Sequence, residues 1–258
     1  MSSSARPAAT VIVLRPSSTG MQVLLLKRSR KAGFFPSAWV FPGGRIDAAD
    51  SLVPLINAEG LSEAQMAAVV AAHRECFEEA GVWLGRGQPD PQLRDQLNQR
   101  SGSLPTDGSL VVDAQRFRQW SRWVTPDTEP KRYDTWFFVC VLNQEEGETA
   151  LSDGVHDGME TVELSWLSIE EAARAHETGE MFMAPPTYVT LKELSHFSTQ
   201  EEIWTAAEDR DCRQLQPVHH RNDEGLQIFF PGHPQHPDPS ARSQYLGVRL
   251  VEGVWHLL

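Results

Sequence analysis

The segment over residues 62–81 constrains the fold most, because its pattern predicts one amphipathic helix with defined ends. Ser62 is a favoured cap for a helix start, and Gly81 is the residue type most often found just past a helix end. At about 3.6 residues per turn, the side chains between them separate into an apolar stripe and an acidic face. We therefore predict a helix over Glu63–Ala80 with a core-facing stripe formed by Met66, Val69, Val70, His73 and Phe77.

The acidic face of this helix carries three glutamates close together. Glu75, Glu78 and Glu79 lie at positions i, i+3 and i+4, and Arg74 precedes them. Like charges at this spacing repel each other by roughly a few tenths of a kcal/mol per pair on a solvated helix. A cation among the carboxylates would offset the repulsion, and oxygen ligands select hard ions such as Mg²⁺ or Mn²⁺. The pattern alone leaves two interpretations open, a metal site or a solvated acidic surface.

A glycine-rich turn upstream favours the metal site. Residues 41–44, Phe-Pro-Gly-Gly, follow a short apolar run and predict a tight turn. Together with the helix they resemble the Nudix box, G-x5-E-x7-R-E-U-x-E-E-x-G-U, in which U is bulky and apolar. Gly44 matches its first glycine, and residues 74–82 match its second half. Two departures are that Asp50 replaces the first glutamate and that 23 residues rather than 7 separate it from Arg74, an insertion of 16.

Motifs outside the box resemble one subgroup of Nudix hydrolases. Residues 120–126, Trp-Ser-Arg-Trp-Val-Thr-Pro, are similar to its W-x-T-P pattern, and residues 132–138 are similar to its R-(F/Y)-D-T-x-F-F pattern. The subgroup has a long insertion in the Nudix box and includes the mammalian peroxisomal coenzyme A diphosphatase. This resemblance covers most of residues 8–200.

The resemblance implies an α/β fold, a Nudix-type α/β/α sandwich with a mixed sheet. We expect a Nudix hydrolase domain over residues 8–180, with the insertion in the box near residues 51–66. Residues 181–258 are rich in His, Pro and Asp, and we expect them to form a C-terminal helical and β appendage packed on the core. The local patterns predict a hairpin over residues 10–27, a helix over 113–123, a central strand over 134–142 and an acidic turn over 145–148.

The implied function is metal-dependent hydrolysis of the diphosphate of a nucleoside-diphosphate-linked small molecule. Coenzyme A or acyl-coenzyme A is the first candidate substrate. Glu75, Glu78, Glu79 and the Gly44 carbonyl are expected to hold Mg²⁺ or Mn²⁺. Arg74, Glu75 and Glu78 are the expected catalytic residues, with Glu75 either a further ligand or the base that takes the proton of the attacking water. Arg74 would orient a glutamate through a bidentate contact that lysine makes poorly.

Other parts of the site rest on weaker patterns. Asp50 could face Arg74, and Asp47 competes with it for that place. Cations that could bind substrate phosphates are Arg28, Lys131 and Arg132. An additional metal ligand is expected from a later loop, where the candidates are Glu145, Glu146, Glu148 and Glu160.

Composition limits the classes of partner. The net charge of −12 argues against a general nucleic-acid-binding surface, and no apolar run approaches the length of a membrane span. Three cysteines far apart in the sequence indicate a reducing compartment, so a cytoplasmic location is expected. The expected partner is a small-molecule diphosphate, with no nucleic acid and no membrane, and a homodimer is possible.

An alternative from a different class is a non-catalytic Nudix-fold module that senses a nucleotide metabolite or serves as a scaffold. Asp50 and the insertion motivate it, whereas the three box glutamates weigh against it. Within the enzyme class, the alternatives are nucleotide-pool sanitation and hydrolysis of NADH or ADP-ribose.

Overall fold

Groups of strands and groups of helices follow one another along the chain, as is usual for an α/β fold with a mixed sheet. The computed structural model describes residues 4–31, 33, 35–223 and 225–258. Its described strands are β1 (Arg6–Ser17), β2 (Gly20–Arg28), β3 (Trp39–Val40), β4 (Gly43–Arg45), β5 (Leu55–Ile56), β6 (Val112–Asp113), β7 (Arg118–Val124), β8 (Tyr133–Val141), β9 (Thr161–Ser168), β10 (Val218–Asn222), β11 (Gly225–Phe229), β12 (Gly247–Val251) and β13 (Val254–Leu257). Its described helices are α1 (Glu63–Ala80), α2 (Leu93–Asn98), α3 (Gln144–Asp153), α4 (Ile169–Glu177), α5 (Pro185–Leu194) and α6 (Gln200–Glu208).

A mixed seven-stranded sheet lies at the centre of the protein. Its main path runs β3–β2–β1–β8–β7, while β4 pairs with β1 and β9 pairs with β2. β1 is antiparallel to β2 and β4 but parallel to β8, so the sheet is mixed as predicted. The hairpin of β1 and β2 and the strand β8 lie where the sequence predicts them.

The two faces of the sheet support two separate hydrophobic cores. Along β1, Ala9, Val11 and Val13 face a first core that they share with α1, whereas Ile12 and Leu14 face a second core. This alternation is the period of two that a strand imposes on its side chains. The second core is completed by α4, α5 and α6 and by residues of the C-terminal strands. Each fully buried side chain of this size contributes roughly 1.5–3 kcal/mol.

Helix α1 has the ends that its sequence predicts. Ser62 caps the start, because its Oγ accepts a hydrogen bond from the Gln65 amide at 3.3 Å while the Gln65 side chain accepts one from the Ser62 amide at 3.1 Å. Gly81 ends the helix in a left-handed conformation with φ of 70°, and its amide donates to the Phe77 carbonyl. Both predicted ends of the helix are therefore confirmed.

The helix predicted over residues 113–123 is wrong, because this stretch forms β6, a short 3-10 turn and β7. The pairing of β7 with β8 shifts register between Gln119 and Ser121, which is a β-bulge. The bulge adds one residue, so that Trp120 and Trp123 both reach the second core. Because of the bulge, two apolar residues three positions apart share one face of the strand. This spacing resembles that of an amphipathic helix.

The acidic turn predicted over residues 145–148 is also wrong, because these residues form the first turns of α3. The Asn143 side chain accepts a hydrogen bond from the Glu146 amide at 2.9 Å, and the Glu146 side chain accepts one from the Asn143 amide at 3.0 Å. Acidic side chains are favourable here because the amides at a helix start carry partial positive charge. The run of glutamates therefore marks a helix start.

The C-terminal residues form a four-stranded antiparallel sheet in the order β10–β11–β12–β13. Ile228, Phe230, Val248 and Trp255 bury their side chains in the second core. The sequence does not predict β10, because its residues Val-His-His-Arg-Asn are mostly polar. Where the Nudix domain ends and the appendage begins stays a prediction, since segments before and after residue 180 share the second core. Among the described helices, none combines the length and hydropathy needed to cross a membrane.

The capping of α1 gives a first prediction. Ser62→Ala should lower the free energy of unfolding by about 1 kcal/mol, because one amide at the helix start loses its partner. Urea denaturation followed by circular dichroism measures this change. Ser62→Asp keeps an acceptor at the same position and should stay within about 0.5 kcal/mol of the wild type. Equal losses in the two variants would contradict the role of the cap.

Candidate active site

A cavity of about 970 Å³ lies where the last turns of α1 meet β4 and the first residues of β1 and β8. Its volume is in the range of small-molecule sites in proteins. It brings together most of the site residues that the sequence predicts, although they come from four separate parts of the chain. Those that line it are Arg28, Gly44, Arg74, Glu75, Glu78, Glu79 and Lys131.

Arg74 is the centre of a buried hydrogen-bond network. Its guanidinium donates from Nε to Asp50 Oδ1 at 2.8 Å and from Nη2 to Asp50 Oδ2 at 3.0 Å, which is a bidentate ion pair. Nη1 donates to Glu75 at 3.0 Å and to Glu78 at 2.8 Å, and Nη2 also donates to the Arg45 carbonyl at 2.9 Å. Burial opposes the charge of Arg74, but these carboxylates outweigh it and raise the pKa of the guanidinium. Arg74 thus ties α1 to β4 and to the segment after β4.

The two aspartates that could pair with Arg74 differ in burial and in their distance from its guanidinium. Asp50 is 2% exposed and makes both short contacts, whereas the Asp47 carboxylate is 61% exposed and lies 3.9 Å from Arg74. The short 3-10 helix over Ala48–Leu52 positions Asp50, whose carboxylate also accepts a hydrogen bond from the Asp47 amide at 2.8 Å. Asp50 therefore anchors Arg74 directly.

Gly44 allows β4 to approach α1 closely, and Gly43 allows it to approach β1. A Cβ on Gly44 would lie 2.5 Å from the Glu75 carboxylate, and a Cβ on Gly43 would overlap Thr10 and the Ala9 carbonyl. The Gly43 amide donates to the Glu79 carboxylate at 3.0 Å. Glycine is thus required here by close approach. The Gly44 backbone lies beside Glu75, and its role as a metal ligand stays a prediction.

Burial raises the pKa of all three glutamates. It raises the pKa of Glu75 to about 7, with Arg74 opposing the shift and Glu78 adding to it. Burial also raises the pKa of Glu78, against the effect of Arg74. For Glu79, burial and the charge of Glu75 raise the pKa well above its usual range, and the Gly43 amide only partly opposes them. The positive charge near these carboxylates therefore does not balance their negative charge.

This donor set fits a hard divalent cation. The buried Arg74 is hydrogen-bonded to the carboxylates of Asp50, Glu75 and Glu78, and a fourth carboxylate, that of Glu79, accepts from the Gly43 amide. Oxygen donors of this type suit Mg²⁺ or Mn²⁺. No three acidic, His or Cys side chains in the described ranges are gathered into a ready metal cage. Arg74 is hydrogen-bonded to two of the glutamates, and the Gly43 amide is hydrogen-bonded to the third. The fit therefore rests on the charge deficit and on the chemistry of the donors.

The three cations predicted for substrate phosphates lie in different surroundings. Arg28 and Lys131 line the cavity, and the charge of Arg28 acts on Glu79. Arg132 is buried outside the described cavity lining, where it pairs with Asp127 at 2.6 Å. Its Nε also donates to a backbone carbonyl at 3.1 Å. Arg132 therefore stabilises the turn before β8. Of the three predicted cations, Arg28 and Lys131 are the two that line the cavity.

One of the four later glutamates lies at the site. Glu160, directly before β9, lines the cavity, and its charge adds to the raised pKa of both Glu75 and Glu79. Glu146 pairs instead with Arg116 at 2.9 Å. The remaining two, Glu145 and Glu148, are on the surface of α3.

Several residues that shape the site carry no local sequence signal. Arg94 and Asn98 of α2 donate to the Glu78 carbonyl, at 3.1 Å and 3.4 Å, and so satisfy the end of α1. The far wall of the cavity comes from the C-terminal sheet, through Pro217, His219 and Ile228. A helix end predicts that its last carbonyls need hydrogen-bond donors. Contacts between distant segments decide which residues donate.

Comparisons with known proteins give consistent matches. A family model described as the NUDT19 Nudix domain matches residues 56–194, more than half of the chain. Two similar proteins are described as acyl-coenzyme A diphosphatase NUDT19. The one from Xenopus laevis is 26% identical, over 88% of this chain and 75% of its own length. The one from Gallus gallus is 28% identical, over 84% of this chain and 74% of its own length.

A solved structure is also similar. The crystal structure of a NUDIX hydrolase from Alicyclobacillus acidocaldarius is 26% identical in sequence and superposes with a TM-score of 0.69. The superposition covers 80% of this chain and 97% of that protein.

The Arg74 network gives a second prediction. Asp50→Ala should lower the free energy of unfolding by about 3 kcal/mol, because a buried charge loses its bidentate partner. Asp47→Ala is the matched control and should cost less than about 1 kcal/mol, because its contact is long and exposed. Chemical denaturation of the three proteins measures both values. A loss in Asp47→Ala as large as that in Asp50→Ala would overturn the assignment of the anchor.

Proposed function

The chain belongs to the NUDT19 Nudix domain family, and from this premise we propose that it hydrolyses the diphosphate of coenzyme A or of an acyl-coenzyme A. The comparisons confirm the Nudix fold and the diphosphatase class that the sequence predicts. The observation that carries the proposal is the group of three glutamates at the cavity wall, of which Arg74 holds Glu75 and Glu78 and the Gly43 amide holds Glu79. The names of the Xenopus laevis and Gallus gallus relatives support the substrate class.

Nudix hydrolases use divalent cations, and here Glu75, Glu78, Glu79 and the Gly44 carbonyl would hold Mg²⁺ or Mn²⁺. Bound ions of this kind neutralise charge on a diphosphate and lower the pKa of water. Arg74 fixes the carboxylates of Glu75 and Glu78 before any substrate arrives. Such preorganisation reduces the reorganisation needed when charge develops on the phosphate oxygens.

The proton of the attacking water needs an acceptor, and Glu75 is suited to that part as well as to ligation. Its carboxylate lies at the cavity wall beside Gly44 and is held by Arg74, which is the position that either part requires. Arg28 and Lys131 line the same cavity and would bind phosphate oxygens. The small-molecule diphosphate is the proposed partner, and the cytoplasmic location and the homodimer stay predictions.

The proposed reaction can be tested with a panel of substrates. Purified protein with Mg²⁺ or Mn²⁺ should convert coenzyme A to adenosine 3′,5′-bisphosphate and 4′-phosphopantetheine, detected by mass spectrometry. NADH, ADP-ribose and dinucleoside polyphosphates serve as competing candidates. Tight binding of a nucleotide without turnover of any panel member would instead favour the sensor alternative.

Removal of one glutamate charge gives a third prediction. Glu78→Gln should lower kcat for coenzyme A by about 100-fold, because it removes a charged ligand from the cavity. Glu148→Gln is the matched control, since Glu148 lies exposed on α3 and contacts Gln144. Its kcat should stay within about twofold of the wild type. Equal kcat values for the two variants would contradict the proposal.

Metal binding gives a fourth prediction that does not depend on activity. Mn²⁺ at about 100 times its Kd should stabilise the wild type against unfolding by about 2.7 kcal/mol. Glu79→Gln should lose most of this gain, because one carboxylate of the donor set is gone. Thermal or urea unfolding with and without Mn²⁺ measures the difference. An undiminished gain in Glu79→Gln would exclude this carboxylate as a ligand.

A further inference from the structure

The cavity extends beyond the glutamates on both faces of the main sheet. On the face of the second core its lining includes Phe41, Trp123, Phe137 and Ile228. On the face of the first core its lining includes Leu97 and Leu104, which flank α2 and the loop after it. The glutamates of α1 line the same cavity, and we call the part of the lining on each face an arm. The two arms offer separate walls for the two substituents of a diphosphate held at the glutamates.

The arm on the second-core face has mainly apolar walls, to which Thr10, Thr135 and the pair of His219 and Glu129, 3.8 Å apart, add polar groups. Phe41, Trp123, Phe137 and Ile228 are each less than 9% exposed. The segment over residues 184–187, Ala-Pro-Pro-Thr, and Pro217 complete the wall. Among the described lining residues after residue 180, His219 is the one ionisable side chain. Such a surface suits alkyl groups, whose transfer from water is favourable in proportion to the apolar area buried.

The arm on the first-core face has a different chemistry. Asn98, Arg100 and Ser103 line it and offer hydrogen-bond donors. Arg100 follows the end of α2 with φ of 55°, a conformation for which glycine is the usual choice at this position. An arginine there carries positive charge into the cavity lining. This arm suits a phosphorylated group far better than an alkyl chain.

We propose that the apolar arm, walled by β11, Pro217 and residues 184–187, is the binding site for the acyl chain of an acyl-coenzyme A, and that the donor-rich arm receives the phosphorylated nucleoside. This inference rests on the proposed function and deepens it. It gives the C-terminal sheet a role in substrate selection, because Ile228 of β11 is part of the wall. Each methylene buried in the arm should raise kcat/KM by about fourfold until the arm is filled.

Ile228 provides the test. Wild type, Ile228→Phe and Leu226→Ala are compared on coenzyme A, octanoyl-coenzyme A and palmitoyl-coenzyme A. Leu226 is the matched control, because it lies on the same strand and packs on the second core but is outside the described cavity lining. Ile228→Phe should lower the ratio of kcat/KM for octanoyl-coenzyme A to that for coenzyme A by at least about tenfold, the cost of about two methylenes left unburied. Leu226→Ala should leave this ratio within about twofold.

A second variant keeps the test valid if Ile228→Phe does not fold. Ile228→Ala enlarges the arm and should raise the ratio of palmitoyl-coenzyme A to octanoyl-coenzyme A turnover by at least about threefold. On the other face, Arg100→Ala should lower kcat/KM for coenzyme A and for octanoyl-coenzyme A by the same factor, because both carry the same nucleoside.

The outcomes separate this inference from the proposed function. If wild type hydrolyses coenzyme A but the Ile228 variants change all three substrates by one common factor, the arm holds a part of the substrate that they share, and the acyl site is wrong. If wild type hydrolyses none of the three, the proposed function itself fails. A change in the acyl ratio with Ile228→Phe and not with Leu226→Ala supports the acyl site.

Discussion

The buried guanidinium of Arg74 is the interaction on which the site depends. It joins Asp50, the Arg45 carbonyl and two glutamates of α1, and so connects three segments of the chain. A planar group with five donors can make these contacts together, whereas the point charge of lysine cannot. Because the side chain is 8% exposed, water compensates little of its charge and the carboxylates must do so. The same contacts fix the direction in which Glu75 and Glu78 enter the cavity.

The contacts of Arg74 explain the two departures from the Nudix box. Asp50 precedes the insertion, and a short 3-10 helix over Ala48–Leu52 brings its carboxylate to Arg74. Of the 23 residues between Asp50 and Arg74, the 12 over 51–62 precede α1 and the 11 over 63–73 begin it, so the insertion lengthens both a connecting loop and the helix. Lengthening such a loop adds little entropic cost, since that cost grows only logarithmically with length. The geometry of the glutamates is thus maintained despite a shorter acid and a longer connection.

The cores on the two faces of the sheet position different parts of the site. The first core fixes α1 and α2, and α2 in turn satisfies the Glu78 carbonyl through Arg94 and Asn98. The second core attaches the C-terminal sheet to the main sheet, and Ile228 and Phe137 both line one cavity. The C-terminal region is therefore part of the cavity wall, although the box and its glutamates lie far from it in sequence.

The sequence alone determined α1 with both its ends, the hairpin of β1 and β2, the central strand β8 and the identity of the acidic face, because helix caps, turns and periodicity act over a few neighbouring residues. It failed over residues 113–123, where a bulge imitates helical spacing, and over residues 145–148, where a cap turns an acidic run into a helix. Only the tertiary structure decided that Asp50 rather than Asp47 holds Arg74, that Arg132 is buried beside Asp127, and that the C-terminal sheet closes the cavity. Those outcomes depend on which distant segments share a core, and pairing across such distances leaves no local pattern.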